Sequence, residues 1–579
     1  MTTRTNRLAI YSIIFLCLFA AFLPVILTNN YLRQDDLIMW QIWPGMKIRD
    51  TDLFFMNTVK QLVRPLCLLT FYITDLVSLT IHNAVYIRML GVLILASLGV
   101  LLYRWQLFFN NNRLLAATFA ICAFTLPPYQ FFAATQNYFL ILVALLLTFG
   151  ALFYWYRAWE EKTINKRYYF WLANLLFFAS CLEYPLSSMY AWVLLGICYL
   201  NMHNSADFFD KRKFFYHGCR MTLLMMGFYY ICIILVHKLY PVNYLNFRSA
   251  VVDKAHIFPR LLKIFSIMSW HSNMWWWKSF TSWKNSPILV IYFLFGVALW
   301  LVNVKKGLHD SLQITKNIMV TLAIVFLLFF MAYSPVMATP EIGFTFRYAI
   351  CTMPFLLYIS FWSVNEIAVS FDKTLWNTVL KTSSALLFIG LTIYGIGYAN
   401  LMIGDGIVGP NEHDFKYLEQ QITAKVIPLL KQHKKVTLHL IDCDNGSSKL
   451  YPGKTTTQFL QYMALIRQNY HYPANIPTAF EYSMRSCQFL QFPLSATIHI
   501  LKLYGYSSNY NRLNDVIWNN NEIIVKDTPW GDLIVNGVDN PHLAQLKYAE
   551  NKAPVLVTID LRNAPPYQHM EFYNRLPHY

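Results

Sequence analysis

The residues best suited to chemistry begin with an acidic pair, Asp35-Asp36, in a stretch that reads Asn30-Tyr31-Leu32-Arg33-Gln34-Asp35-Asp36. Adjacent carboxylates repel, which favours a proton or a cation on one of them. Two uses suit such a pair: a general base toward a hydroxyl, or a ligand set for a divalent metal such as Mg or Mn. The same dipeptide also suits a helix first turn, where Asp caps free amides and meets the positive end of the dipole. Glu183 is the other acidic candidate, in Cys181-Leu182-Glu183-Tyr184-Pro185. Pro185 forces the chain to bend or restart, so Glu183 serves either as a ligand for a hydroxyl or a metal, or as a cap for the helix that follows. Cysteine offers no comparable signal. Eight of the ten lie in residues 1–400, mostly inside apolar runs, and no CxxC or Cys/His metal spacing occurs. There a thiol acts as a small hydrophobe.

The elements that position these residues follow from composition. The chain has 579 residues, 56% hydrophobic and only 13% charged, against about 25% charged in an ordinary soluble domain. Disorder, a coiled coil and a soluble enzyme of usual composition are excluded. The net charge of +17 is unevenly placed. Residues 1–400 hold 31 Lys+Arg and 15 Asp+Glu, whereas residues 401–579 hold 16 and 15. A membrane span needs about 20 apolar residues. Eleven such runs are read, near 8–28, 86–103, 114–132, 138–156, 168–183, 185–200, 220–237, 287–303, 318–337, 346–365 and 378–400. The pair around Glu183 reads as two short spans or one broken helix. Residues 65–81 are apolar but contain Asp75, and are expected to form an interfacial or partly embedded helix.

Basic residues recur at every second connection: Arg4 and Arg7, Arg104 and Arg113, Arg157 to Arg167, Lys211 to Lys213, Lys305 to Lys316, and Lys373 to Lys381. This is the positive-inside pattern. It predicts a cytoplasmic N-terminus and, after eleven spans, an extracytoplasmic C-terminal domain. Topology thus explains the charge, and nucleic acid is not needed as a partner; the lipid bilayer is. The first run is long for a signal peptide and lacks a small-residue cleavage site, so it is read as a retained span.

The expected fold is an α-helical polytopic membrane protein, with a membrane domain over 1–400 carrying outer loops 29–85 and 238–286, and a soluble extracytoplasmic α/β domain over 401–579. Strands are expected at Val436–Ile441, Glu522–Val525, Asp532–Val535 and Val555–Ile559, and helices at Asp414–Lys431 and Thr456–Asn469. Cys443 and Cys487 are a candidate disulfide, since the outside is oxidising. Loop 238–286 is aromatic and basic, with Trp270, His271, Trp275, Trp276, Trp277 and Lys278. Its Ile257–Trp270 stretch has the spacing of an amphipathic interfacial helix, and a tryptophan belt at headgroup level is the default use of such rings.

The acidic pair just past the first span, the loop continuing through Trp40, Trp43-Pro44-Gly45 and Asp50-Thr51-Asp52 to Arg64-Pro65, and the C-terminal outer domain together resemble the GT-C superfamily of membrane glycosyltransferases. The likeness covers the architecture of the whole chain and is nearest in style to bacterial O-antigen glucosyltransferases and other transferases of lipopolysaccharide and surface polysaccharide. It implies an inverting hexosyl transfer from a polyprenyl-phosphate-linked sugar to a cell-envelope glycan, lipid or protein, at the outer face of the inner (plasma) membrane. Asp35 or Asp36 would then take the acceptor proton. Arg64, Arg88, Arg347 and His271 become candidates for the donor phosphate, because a guanidinium matches it bidentately; snorkelling to lipid headgroups is the competing use. Glu183, Tyr184, Trp270 and Trp275 become candidates for sugar or acceptor, through hydroxyl contacts and ring stacking. No WWDYG motif is present, which counts against an oligosaccharyltransferase. No Gly-rich phosphate loop follows a strand, which counts against a nucleotide-sugar donor. A transporter or flippase of lipid-linked saccharides, a polysaccharide polymerase and a non-catalytic scaffold remain as alternatives. No internal repeat of the transporter kind is found.

Overall fold

The structure, a computed structural model, describes residues 2–28, 63–77, 84–109, 112–134, 139–160, 165–202, 208–239, 311–338, 350–370, 375–404 and 408–441. Beyond these it describes 497, 500–501, 504, 506, 516–519, 522–528, 531–536 and 555–560. Helices dominate the first 400 residues. In chain order they are α1 (Thr2–Ala21), α2 (Leu23–Leu27), α3 (Pro65–Val77), α4 (Ala84–Leu107), α5 (Arg113–Phe124), α6 (Pro127–Ala134), α7 (Phe139–Glu160) and α8 (Asn165–Glu183). There follow α9 (Pro185–Ser188), α10 (Tyr190–Met202), α11 (Phe208–Leu239), α12 (Ser311–Ala338), α13 (Thr352–Ser370) and α14 (Leu375–Ile403). Every expected span that falls on described residues coincides with a helix or a closely spaced helix pair; the run at 287–303 lies outside them. Proline sets several breaks, entering the first turn of α2 and α9 where its missing N–H costs nothing.

Among the described residues, three helices are long and apolar enough to cross a membrane: Ala84–Leu107, Phe139–Glu160 and Asp210–Leu239. A fourth crossing is reached if Arg113–Phe124 and Pro128–Ala134, bent by 57°, count as one. The bundle is of the helical membrane type. Its centre is mainly apolar and aromatic, with Trp105, Trp155, Tyr129, Phe119 and Phe124 fully buried. Its surface is apolar too. Leu223, Leu224, Phe228, Ile231, Ile234 and Leu235 are all exposed on α11, as are Leu386 and Ile393 on α14. Contiguous exposed apolar surface of this kind marks contact with lipid or protein.

Ring and polar contacts collect the helix ends in two groups. At one end Trp105 of α4 meets Phe109, Phe153, Tyr156 and Phe214 at ring separations of 5.4–6.2 Å. Those rings join the end of α4, the end of α7 and the start of α11. Tyr199 against Phe215 adds the end of α10. Asn112, which caps α5, donates to Asn365 near the end of α13 at 2.6 Å. Arg104, Arg113, Arg157, Lys166, Arg167 and Lys211 to Lys213 all lie on helix ends of this group. The alternation seen in the basic residues thus becomes one basic end of the bundle.

At the opposite end Ser187 of α9 donates to the Ile141 carbonyl near the start of α7. The Cys351 thiol donates to the Leu186 carbonyl, and Tyr129 of α6 donates to the Ile350 carbonyl at 2.8 Å. Asn400 of α14 reaches the Ala20 carbonyl at the close of α1. Close approach of helices is supplied by glycine, as two positions show. A Cβ at Gly99 would run into Leu18, and one at Gly196 would run into the Phe355 ring.

Past the bundle come α15 (Gly409–Lys425) and α16 (Ile427–Lys431), then strands β1 (Val436–Ile441), β2 (Val516–Asn519), β3 (Glu522–Thr528), β4 (Gly531–Asn536) and β5 (Val555–Asp560). They form one mixed sheet in the order β2-β3-β4-β1-β5. β1 is an interior strand, parallel to both of its neighbours β4 and β5, while β2, β3 and β4 run antiparallel. Val436, Thr437, Leu438, His439 and Leu440 of β1 are all buried, as expected where a central parallel strand is covered on both faces. One of those covers is α15, which packs against β5. β2 has no counterpart in the sequence reading. The helix expected at Thr456–Asn469 and the two cysteines 443 and 487 lie outside the described residues.

Candidate functional site

Three of the four described site candidates, Arg64, Glu183 and Tyr184, gather where α3, α8 and α11 meet, at the end of the bundle away from the basic group. Local sequence explains the meeting. Pro65 starts α3, and the chain enters it through Val63, whose φ of 52° is left-handed. A β-branched residue in that region is a backbone outlier costing about 1–3 kcal/mol. Val63 is nonetheless buried, and its carbonyl accepts from the Tyr229 hydroxyl of α11 at 3.5 Å. This turn delivers Arg64 to the bundle rather than to solvent.

The Arg64 guanidinium lies over the ring of Tyr184, 4.8 Å from its centroid. Such a cation–π contact contributes about 0.5–2 kcal/mol, more as it is desolvated. Arg64 also hydrogen-bonds the Tyr229 side chain. Its Nε is buried and has no hydrogen-bond partner among the described residues.

Glu183 sits one residue before Tyr184, at the last position of α8, and is only 2% exposed. Its side chain does not cap α9: Tyr184 is the N-cap there and makes no side-chain cap bond. The carboxylate instead turns sideways to α3, where it accepts from the Thr70 hydroxyl. Thr70 and Thr74 share a face of α3 and are both buried, with Thr74 donating to the Thr70 carbonyl at 2.7 Å. The other carboxylate oxygen, Oε1, is buried and unmatched among the described residues. A buried carboxylate with an open acceptor costs about 1–3 kcal/mol or more. Cys67, one turn into α3, is within electrostatic reach of both Arg64 and Glu183.

The chemistry on offer is therefore an unfilled donor on a guanidinium, an unfilled acceptor on a carboxylate, and a tyrosine ring that lies under the first and follows the second in sequence. That set complements a polar guest carrying both hydroxyls and an anionic group. No three His, Cys, Asp or Glu side chains are grouped to hold a metal among the described residues. The sequence matches no protein-family model and no curated protein.

Of the residues singled out in the sequence, Arg64, Glu183 and Tyr184 are thus brought together. Arg88 is buried near the start of α4, 2% exposed, with Nε donating to the Ala84 carbonyl at 3.3 Å. Asp35, Asp36, Trp270, His271, Trp275 and Arg347 lie outside the described residues. The segment holding the acidic pair is bracketed by Thr28 and Val63, and both brackets stand at the Glu183 end of the bundle. Sequence reasoning missed Thr70, Cys67 and Tyr229. The i, i+4 spacing of Thr70 and Thr74 beside Pro65 was the available signal. Tyr229 lies inside an apolar run and gives none.

Proposed function

We propose that the chain is an inverting, GT-C-type glycosyltransferase of the inner membrane that moves a sugar from a polyprenyl-phosphate donor to a cell-envelope glycan, lipid or protein. The observation that carries this reading is a buried, half-satisfied Glu183 next in sequence to Tyr184, whose ring the Arg64 guanidinium overlies, at the bundle end from which the Asp35-Asp36 segment leaves. The resemblance of the acidic pair and chain architecture to GT-C enzymes supports it independently. The N-terminus and basic end are cytoplasmic on this reading, and the Glu183 end and the C-terminal sheet are extracytoplasmic.

Asp35 or Asp36 takes the proton of the acceptor hydroxyl. The acceptor oxygen forms a bond to the anomeric carbon as the bond from that carbon to the phosphate oxygen breaks. The bonding pair leaves with the lipid phosphate. The transition state has oxocarbenium character, as in glycoside hydrolysis. Arg64, with Arg347 as a second candidate, meets charge growing on the leaving phosphate. Glu183 and Thr70 hold sugar hydroxyls. One displacement inverts the anomeric centre.

The test is to replace Asp35 and Asp36 singly by Asn and assay transfer in membranes from a strain lacking the chromosomal copy. Loss of the envelope glycan in the deletion strain, restored by the wild type and by neither variant, supports the reading. Full restoration by both variants ends the catalytic role of the pair. An unchanged envelope glycan in the deletion strain ends the proposed activity.

A further inference from the structure

The basic end carries a feature that the transfer reaction does not use. α8 and α11 pack together along a seam. Toward its basic end, His217 of α11 is half-buried against Trp159 of α7 and Phe170 of α8, at ring separations of 5.5 and 6.2 Å. Among the described residues, Arg220, one turn further along the same helix, and Lys166, one turn before Phe170 across the seam, bear on that imidazole electrostatically. Both are exposed. Three cationic or protonatable nitrogen groups thus converge from two helices, and mutual repulsion there is relieved by an anion.

The surface leading away from this triad is apolar. On α11 the exposed face continues from Arg220 through Leu224, Phe228, Ile231 and Leu235, at helical spacing. On α8, Trp171 and Leu175 are exposed as well, five and nine residues past Lys166. Phe178 against Phe228, 5.4 Å apart, closes the seam beneath. A cationic seat at a helix-bundle end, continuous with an exposed apolar strip and flanked by an exposed tryptophan, has the chemistry of one amphiphile. The head is anionic and the tail is an alkyl chain.

We propose that the α8–α11 seam seats an anionic phospholipid, its phosphate held by Lys166, His217 and Arg220 and an acyl chain lying along Leu224 and Phe228. The site is separate from the Glu183 end and does not depend on the transfer activity. Its charge complementarity selects phosphatidylglycerol over the zwitterionic phosphatidylcholine of equal chain length.

Native mass spectrometry of the full-length protein, released from nanodiscs of mixed phosphatidylglycerol and phosphatidylcholine, tests this. The wild type should retain phosphatidylglycerol preferentially. Lys166→Gln and Arg220→Gln should each lower the retained fraction about fivefold, in line with the weight of one basic residue at an anionic surface. Both side chains are exposed, so packing is spared. His217→Gln should lower it further in combination. Equal retention of the two lipids by the wild type overturns the proposal, as does unchanged retention in the combined variant. Should the combined variant not fold, thermal shift of the wild type decides. Added phosphatidylglycerol should raise the melting temperature where phosphatidylcholine and inorganic phosphate do not, and equal shifts with the two lipids overturn the site.

Discussion

The two ends of the bundle are built on opposite rules. At the basic end the interior is closed by aromatic rings, and the charges stay at the rim. Arg104 lies over Phe153 at 5.8 Å and Lys211 over Phe109 at 5.7 Å, each with a stem on apolar surface. At the other end ionisable groups enter the interior. Arg64 and Glu183 each bury a polar atom that no described residue satisfies. A rim of charge over a filled core sets orientation and stability. Buried, half-satisfied charge lowers stability and is retained where it meets a ligand. On the proposed function, the contrast separates residues that hold the fold from residues that act.

The sharpest break of that contrast is at the basic end. Trp105→Ala removes a fully buried ring and its indole bond to the Leu194 carbonyl at 2.9 Å. A loss of about 3–5 kcal/mol is expected, read as a large drop in the melting temperature of the purified protein in detergent. Next comes Gly196→Ala, whose methyl would enter the Phe355 ring. Overpacking of this kind costs about 1–3 kcal/mol, and Gly196→Ala with Phe355→Leu should recover part of it. At the other end Arg64→Lys removes the planar cation over Tyr184 and should cost about 0.5–2 kcal/mol in the same assay. Smallest in stability is Glu183→Gln. It keeps shape and the Thr70 partner while removing a buried charge, so melting should stay level or rise. Its glycan-transfer activity should nonetheless fall at least tenfold, measured by restoration of the deletion strain.

Much of the helical frame was legible in residue type. Apolar runs such as Phe139–Glu160 need no tertiary information, because in lipid the backbone must satisfy itself within one helix. Strands at Val436–Ile441 and Val555–Asp560 were legible from β-branched runs, whereas β2 (Val516–Asn519) is four residues long and is held by pairing with β3 rather than by its own pattern. Glu183 was legible as a carboxylate beside Pro185, and capping was the locally sensible use. Its actual contact with Thr70 depends on how α3 docks against α8, which is set more than a hundred residues upstream. Arg64 over Tyr184 is non-local in the same way. Neither Val63 nor Tyr229 announces itself, since a left-handed φ at a valine and a tyrosine in an apolar run appear only once the chain is folded.

The division between a structural end and an acting end rests most directly on Glu183→Gln. The decisive quantity is envelope-glycan transfer per amount of folded protein in membranes, compared with the wild type. A folded variant with wild-type melting and a tenfold or greater loss of transfer is the expected result. Wild-type transfer by a fully folded Glu183→Gln protein would contradict it and return Glu183 to the packing of α3 against α8.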